Sequence, residues 1–302
     1  MASSVEQLNQ KFAIDGALKF EAGNGGLTCA RIDTLLATGE MYLHGAHVTQ
    51  FQPRGQDPLL FLSQKSLYQP NKPIRGGVPI CFPWFGPRAS DPSSPMHGFA
   101  RLSEWEVTAT RKLTDGRIEI EMTLRDSDET RKLWPHKFTA RYTATFGAEL
   151  QLSLAVKNEG TEPFTFEEAL HTYTRIGDIK QVRLAGLESV EYLDKVAGGR
   201  PRQGTAPIQI TGETDRVYLN TQSACVLSDP VLKREIRIQK QNSGTTVVWN
   251  PWDKVSTISD LNPEDAEHFL CVETANAKEQ TLNLPPGVEH VLIARLALKN
   301  WA

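Results

Sequence analysis

"RGGVPICFPWFGPR", residues 75–88, holds three prolines, three glycines, two phenylalanines and a tryptophan between Arg75 and Arg88. Proline fixes φ and glycine permits tight turns, so this stretch reads as a stiff aromatic loop, poorly suited to a central strand. Such a loop can wall a pocket, and it can equally seal the end of a β-sandwich. The arginines are what could do chemistry. A guanidinium fork matches phosphate or carboxylate with paired, charge-assisted hydrogen bonds. "MHGFAR", residues 96–101, adds His97 and Arg101 to the same loop-rich region. Each arginine taken singly also reads as an ordinary solvated surface group.

Titratable groups follow in two strand-like segments. In "FEEALHTYTRIGDI", residues 166–179, strand alternation sets His171 on the face opposite Glu168. In "HFLCVETANA", Glu273 ends the apolar run from Phe269 to Val272. A carboxylate there must be partnered, exposed at a strand end, or kept for function with a perturbed pKa. Strand-end exposure is the simplest of the three. Asp215 in "TGETDRVYL" and the segment "NPWDKVSTISDL" are polar islands of the same kind. Cys29, Cys81, Cys225 and Cys271 show no CxxC spacing, which points to reduced, buried thiols and away from a zinc knuckle or redox pair. There is no Gly-rich phosphate loop and no His/Cys/Asp set at metal-ligand spacing, so neither cofactor nor metal is expected.

The elements that must position these residues are strands. In "RIEIEMTLR", Ile118, Ile120, Met122 and Leu124 share one face, while Arg117, Glu119, Glu121 and Thr123 share the other. "EWEVTATRKL" alternates before it, and the intervening "TDG" makes the two a hairpin. "FTARYTATF" and "ELQLSLAVKNEG" form a further pair, and extended candidates recur through "GEMYLHGAHVTQFQP", "FTFEEALHTYTRI", "REIRIQK", "GTTVVWNP" and "HVLIARLALKN". Helical patterns reduce to "SVEQLN" and "PEDAEHF". The fold class expected is all-β, a large, mostly antiparallel β-sandwich, with residues 1–302 as one domain. A net charge of −3 gives no positive field for nucleic acid or an anionic membrane. The start has no basic and apolar leader and no run is long enough to span a bilayer, so a cytoplasmic location is expected.

Taken in order, "IRGGVPICFPWFG", "HGFAR", "EEALHTY", "TDRVY", "NPW" and "CVETA" resemble the hexose-6-phosphate mutarotases (glucose-6-phosphate 1-epimerases) of the aldose 1-epimerase-like superfamily. The resemblance implies a galactose mutarotase-like supersandwich that interconverts sugar anomers with no cofactor, metal or covalent intermediate. It implies His171 as general acid and Glu273 as general base, with Glu273 ionised and His171 protonated when sugar binds. It assigns Arg75 and Arg101 to the substrate phosphate, and His97 and Asp215 to sugar hydroxyls or the ring oxygen. Arg88 and Lys254 are further candidates for the anion, and Trp84 and Phe85 for an apolar wall. The position before "HGFAR", polar in some relatives, is Met96 here. The partner implied is a small-molecule hexose 6-phosphate, bound by a monomer. A mutarotase for free hexose and a non-catalytic sugar-binding or sensing sandwich are the alternatives. The paired arginines weigh against the first, and the matched acid and base against the second.

Overall fold

The two-residue alternation is realised over a broad sheet. Ile118, Ile120, Met122 and Leu124 of the strand Ile118–Arg125 are buried, while Glu119 and Glu121 remain partly exposed. Glu106–Lys112 pairs with it as a hairpin carrying a bulge between Val107 and Ala109. Phe138–Phe146 and Glu149–Asn158 pair along their whole lengths. Arg183–Ala185, Cys225–Asp229, Arg234–Gln241 and Glu289–Asn300 complete an eight-stranded sheet. The structure is a computed structural model that describes residues 3–88 and 90–301.

A second sheet of seven strands runs in the order Tyr192–Asp194, Thr214–Tyr218, Thr245–Asn250, Phe269–Asn276, Glu168–Leu170 and Ile80–Cys81, with Tyr173–Arg175 also paired to Phe269–Asn276. The strand pairs of both large sheets are antiparallel. The sheets share one apolar core. Met122, Tyr142, Leu152 and Leu296 come from the broad sheet and Ile80, Leu170, Val248 and Val272 from the other. Each such aliphatic side chain contributes about 1.5–3 kcal/mol by leaving water. A four-stranded sheet, Leu18–Ala22 to His47–Pro53, adds to that core, and Phe164–Phe166 pairs with Leu282–Leu284.

The seven-stranded sheet is covered on its outer face too, and this positions the site. Along Phe269–Asn276, Leu270 and Val272 enter the shared core, whereas Phe269 and Cys271 join an outer cluster with Phe61, Tyr173 and Leu261. Ala275 belongs to a second outer cluster with Phe85, Ala169, Val217 and Val247. A strand buried on both faces reads as a continuous apolar run. Glu273 falls between the two outer clusters.

Several expectations need revision at the level of elements. "GEMYLHGAHVTQFQP" is a hairpin, Ala37–Tyr42 with His47–Pro53, and not one extended piece. "FTFEEALHTYTRI" is broken into Phe164–Phe166, Glu168–Leu170 and Tyr173–Arg175. "SVEQLN" opens the helix Val5–Phe12, where the Ser4 side chain accepts from Gln7 N–H in a capping box. A second helix, Asp128–Leu133, starts from Ser127 with Thr130 answering its backbone. Its single apolar residue, the terminal leucine, leaves no helical periodicity to read. "PEDAEHF" contains a 3-10 turn, Pro263–Glu267. The four cysteines are free and buried.

Candidate active site

The loop 75–88 turns its aromatic residues two ways. Phe82 packs edge-on against Phe99, Trp134, Phe138 and Phe166 inside the sandwich. Trp84 joins the same core and donates its Nε1–H to Pro95 O at 2.9 Å. Phe85 faces the outer side, where its ring meets His97 at 4.9 Å. Backbone crowding makes two glycines obligatory. A Cβ on Gly77 would lie 2.3 Å from Val48 O, and one on Gly98 would lie 2.0 Å from Phe82 O, both at positive φ. The loop is anchored by Glu167, whose Oε2 accepts from Phe85 N–H at 2.9 Å and whose Oε1 accepts from Lys278 N–H at 2.6 Å.

Strand register brings His171 and Glu273 together. Leu170 pairs with Thr274 and Tyr173 with Cys271, so stepping along the chain puts His171 opposite Glu273. The His171 Nε2 to Glu273 Oε1 distance is 3.4 Å. Glu273 is 1% exposed in mid-strand, which overturns strand-end exposure as its account. The Tyr173 ring stacks on His171 at 4.9 Å and 14°, and Trp249 stands edge-on at 5.8 Å.

His171, Glu273 and Trp249 line a cavity of about 330 Å³ that also takes in Arg75, His97, Arg101 and Asp215, so all six expected site residues meet there. Its size lies near the low end for small-molecule sites. A cleft of about 570 Å³ beside Phe51, Leu60 and Arg175 is larger, but it holds none of the six. The smaller cavity is distinguished by its chemistry: among the described residues, the buried His171 Nδ1, Glu273 Oε2 and Arg101 Nε atoms have no hydrogen-bond partner. Native proteins rarely leave such atoms unpaired away from a ligand.

Each polar group is held differently. Arg75 Nε contacts Asp260 Oδ1 at 3.1 Å, and its Nη1–H donates to the Tyr173 hydroxyl at 3.0 Å. Arg101 Nη2–H donates to Met96 O at 2.7 Å. His97 Nδ1 accepts from Gly86 N–H at 3.2 Å, which places the ring proton of the neutral imidazole on Nε2. Asp215, opposite Trp249 in the sheet, accepts from Lys195 Nζ at 2.6 Å. Lys195 and Trp249 line the cavity and were not singled out from sequence. Lys195 follows the strand Tyr192–Asp194 in a short turn, Lys195-Val196-Ala197, that carries no motif.

Arg88 and Lys254 are outside the cavity lining. Arg88 donates to Leu133 O and lies over the Trp84 ring, and Lys254 pairs with Glu213 at 2.8 Å. Of the two aromatic candidates, Phe85 lines the cavity and Trp84 does not. Met96 is on the lining, 55% exposed.

Burial shapes the electrostatics of the cavity. Burial, then the Asp215 charge, pushes the Glu273 carboxyl well above its ordinary range, with Lys195 and Arg101 opposing. Burial therefore works against the ionised Glu273 that ring opening would require. Burial, then Arg101 and Arg75, holds His171 well below the ordinary histidine range. Burial, then Arg101, does the same to His97. Burial thus favours the uncharged form of each partner in the His171–Glu273 contact.

Residues 33–296 match the family model described as aldose 1-epimerase. A Cenchrus ciliaris protein described as a "putative glucose-6-phosphate 1-epimerase" is 36% identical over 83% of this chain and 78% of its own length. An Escherichia coli protein of the same description is 38% identical over 78% and 79%. The crystal structure of a "putative mutarotase" from Salmonella typhimurium superposes with a TM-score of 0.89 at 29% identity, covering 96% of each chain. A galactose 1-epimerase structure from Lactobacillus acidophilus shares the fold, with a TM-score of 0.73 at 14% identity over 94% of this chain and 99% of that one. The chain thus belongs to the aldose 1-epimerase family of isomerases.

Proposed function

We propose that this protein interconverts the α and β anomers of a hexose 6-phosphate, with glucose 6-phosphate as the preferred substrate. The observation that carries the reading is the His171–Glu273 contact inside a cavity that also holds Arg75 and Arg101. The descriptions of the plant and enterobacterial relatives support the same substrate.

Ring opening needs a proton removed from the anomeric hydroxyl while another is delivered to the ring oxygen. Glu273 as carboxylate takes the first and His171 as imidazolium gives the second; the bond between C1 and the ring oxygen breaks as the carbonyl forms. Rotation about the first carbon–carbon bond exposes the other carbonyl face, and closure returns both protons. The uncharged pair that burial favours and the charged pair of this step differ by one proton moved between groups 3.4 Å apart. Tyr173 and Trp249 keep His171 in place against Glu273. The phosphate would sit on Arg75 and Arg101. The Nε2–H of His97 would donate to a sugar oxygen, and Asp215, held by Lys195, would accept from a hydroxyl.

Anomer exchange of glucose 6-phosphate, followed by NMR magnetisation transfer beside free glucose and galactose, tests the reading. Wild type should accelerate the phosphosugar most, and Glu273→Gln should lose about a hundred- to ten-thousand-fold, the usual contribution of one acid–base group. Tight binding of glucose 6-phosphate without exchange would instead make the protein a sugar-phosphate sensor.

A further inference from the structure

Tyr173, behind the cavity lining, links an arginine of the cavity to its histidine. Tyr173 accepts a hydrogen bond from Arg75 at 3.0 Å through its hydroxyl, and its ring stacks on His171 at 4.9 Å. The arginine side is built without any sugar present. Arg75 is braced by Asp260 and Tyr173, and Arg101 by Met96 O, leaving Arg101 Nε buried and unpartnered among the described residues. The charged and titratable groups around His171 are Arg75, His97, Arg101, Lys195, Asp215 and Glu273. Lys195 is answered by Asp215 and Arg75 in part by Asp260, whereas among the described residues Arg101 meets only a backbone carbonyl. Unbalanced positive charge therefore faces the imidazole that must gain a proton.

We infer that the arginine side is a dianion site in its own right, and that inorganic phosphate bound there switches on anomer exchange of unphosphorylated aldoses at the His171–Glu273 pair. The inference rests on the proposed function and extends it to a second, phosphate-dependent activity. Its physical basis is that a dianion on Arg75 and Arg101 cancels the field opposing the imidazolium, whether or not the dianion is tethered to the sugar. The burial and the two arginines that disfavour the His171 imidazolium agree with this. Binding energy from a remote phosphate is then used at the reacting carbon, the ordinary way an enzyme favours its transition state. To the extent that phosphate also tightens aldose binding, aldose must tighten phosphate binding by the same factor.

The test uses the intact protein with free glucose and a titration of inorganic phosphate, subtracting the exchange that phosphate catalyses without enzyme. The expected result is a saturable, enzyme-dependent rise of about tenfold or more, within the usual range for two coupled sites. Arg101→Ala should abolish that rise. Phosphate that leaves enzyme-dependent glucose exchange unchanged, or inhibits it, overturns the inference while fast exchange of glucose 6-phosphate would keep the proposed function. Failure to accelerate glucose 6-phosphate itself overturns both.

Discussion

At the scale of single residues, Glu273 carries the largest conflict between stability and chemistry. Its carboxyl is 1% exposed, with one oxygen unpartnered among the described residues. Its pKa is raised above the unfolded value, chiefly by burial, so the folded state binds its proton more tightly than the unfolded chain does. That contribution to stability is complete below the ordinary glutamate pKa near 4.3 and is lost as pH rises through the folded value. Glu273→Gln keeps the shape and removes the charge. It should melt higher than wild type at neutral and mildly alkaline pH by about 1–3 kcal/mol, the cost of an unpaired buried polar group, while the difference shrinks toward pH 4. Thermal melts of the two proteins across that range check this, and a constant difference would show that the carboxyl is not the titrating cause. Glu273 was legible in sequence as a carboxylate needing an explanation. Its mid-strand burial was not, because a strand covered on both faces shows no alternation against which to judge one polar residue. Lys195 was invisible for a different reason: it reaches Asp215 from a short turn after a strand, and nothing in that turn separates it from a solvated lysine.

At the scale of elements, the stiff loop works because it is tied at a second point. Glu167 accepts from Phe85 N–H and Lys278 N–H, linking the loop to the segment that follows the strand bearing Glu273. Glu167→Ala removes both acceptors, leaving two backbone donors to find water. The expected outcome is a loss of about 1–3 kcal/mol in stability per buried donor left unpaired and a rise in KM for the phosphosugar, read by denaturant melts and initial-rate kinetics. A rise in KM without any loss of stability would place Glu167 outside the fold's support of the loop. The sequence showed that residues 75–88 form no central strand, and the structure agrees except at Ile80–Cys81, which pairs with Leu170 and Ala169. Hairpins such as Glu106–Lys112 with Ile118–Arg125 were readable because one of their faces is wet. The three short pieces between Phe164 and Arg175 were not, since their interruptions arise from contacts with distant residues, as where His171 N–H turns to Pro79 O at 3.0 Å.

At the scale of the whole molecule, the arrangement follows one logic. The sandwich buries the inner face of the seven-stranded sheet against the broad one, which frees the outer face for two apolar clusters with a polar gap between them. His171 and Glu273 occupy that gap by register, not by a local motif. A slip of one residue between their strands would turn one of the two side chains toward the inner core and separate the pair. The reacting geometry therefore has no independent folding unit: it exists only while the ladder between Glu168–Arg175 and Phe269–Asn276 is intact, and that ladder lies in the middle of its sheet. Catalytic competence and global cooperativity become the same quantity. Loss of anomer exchange in denaturant should superimpose on the loss of tertiary signal, with no inactive yet folded plateau between them.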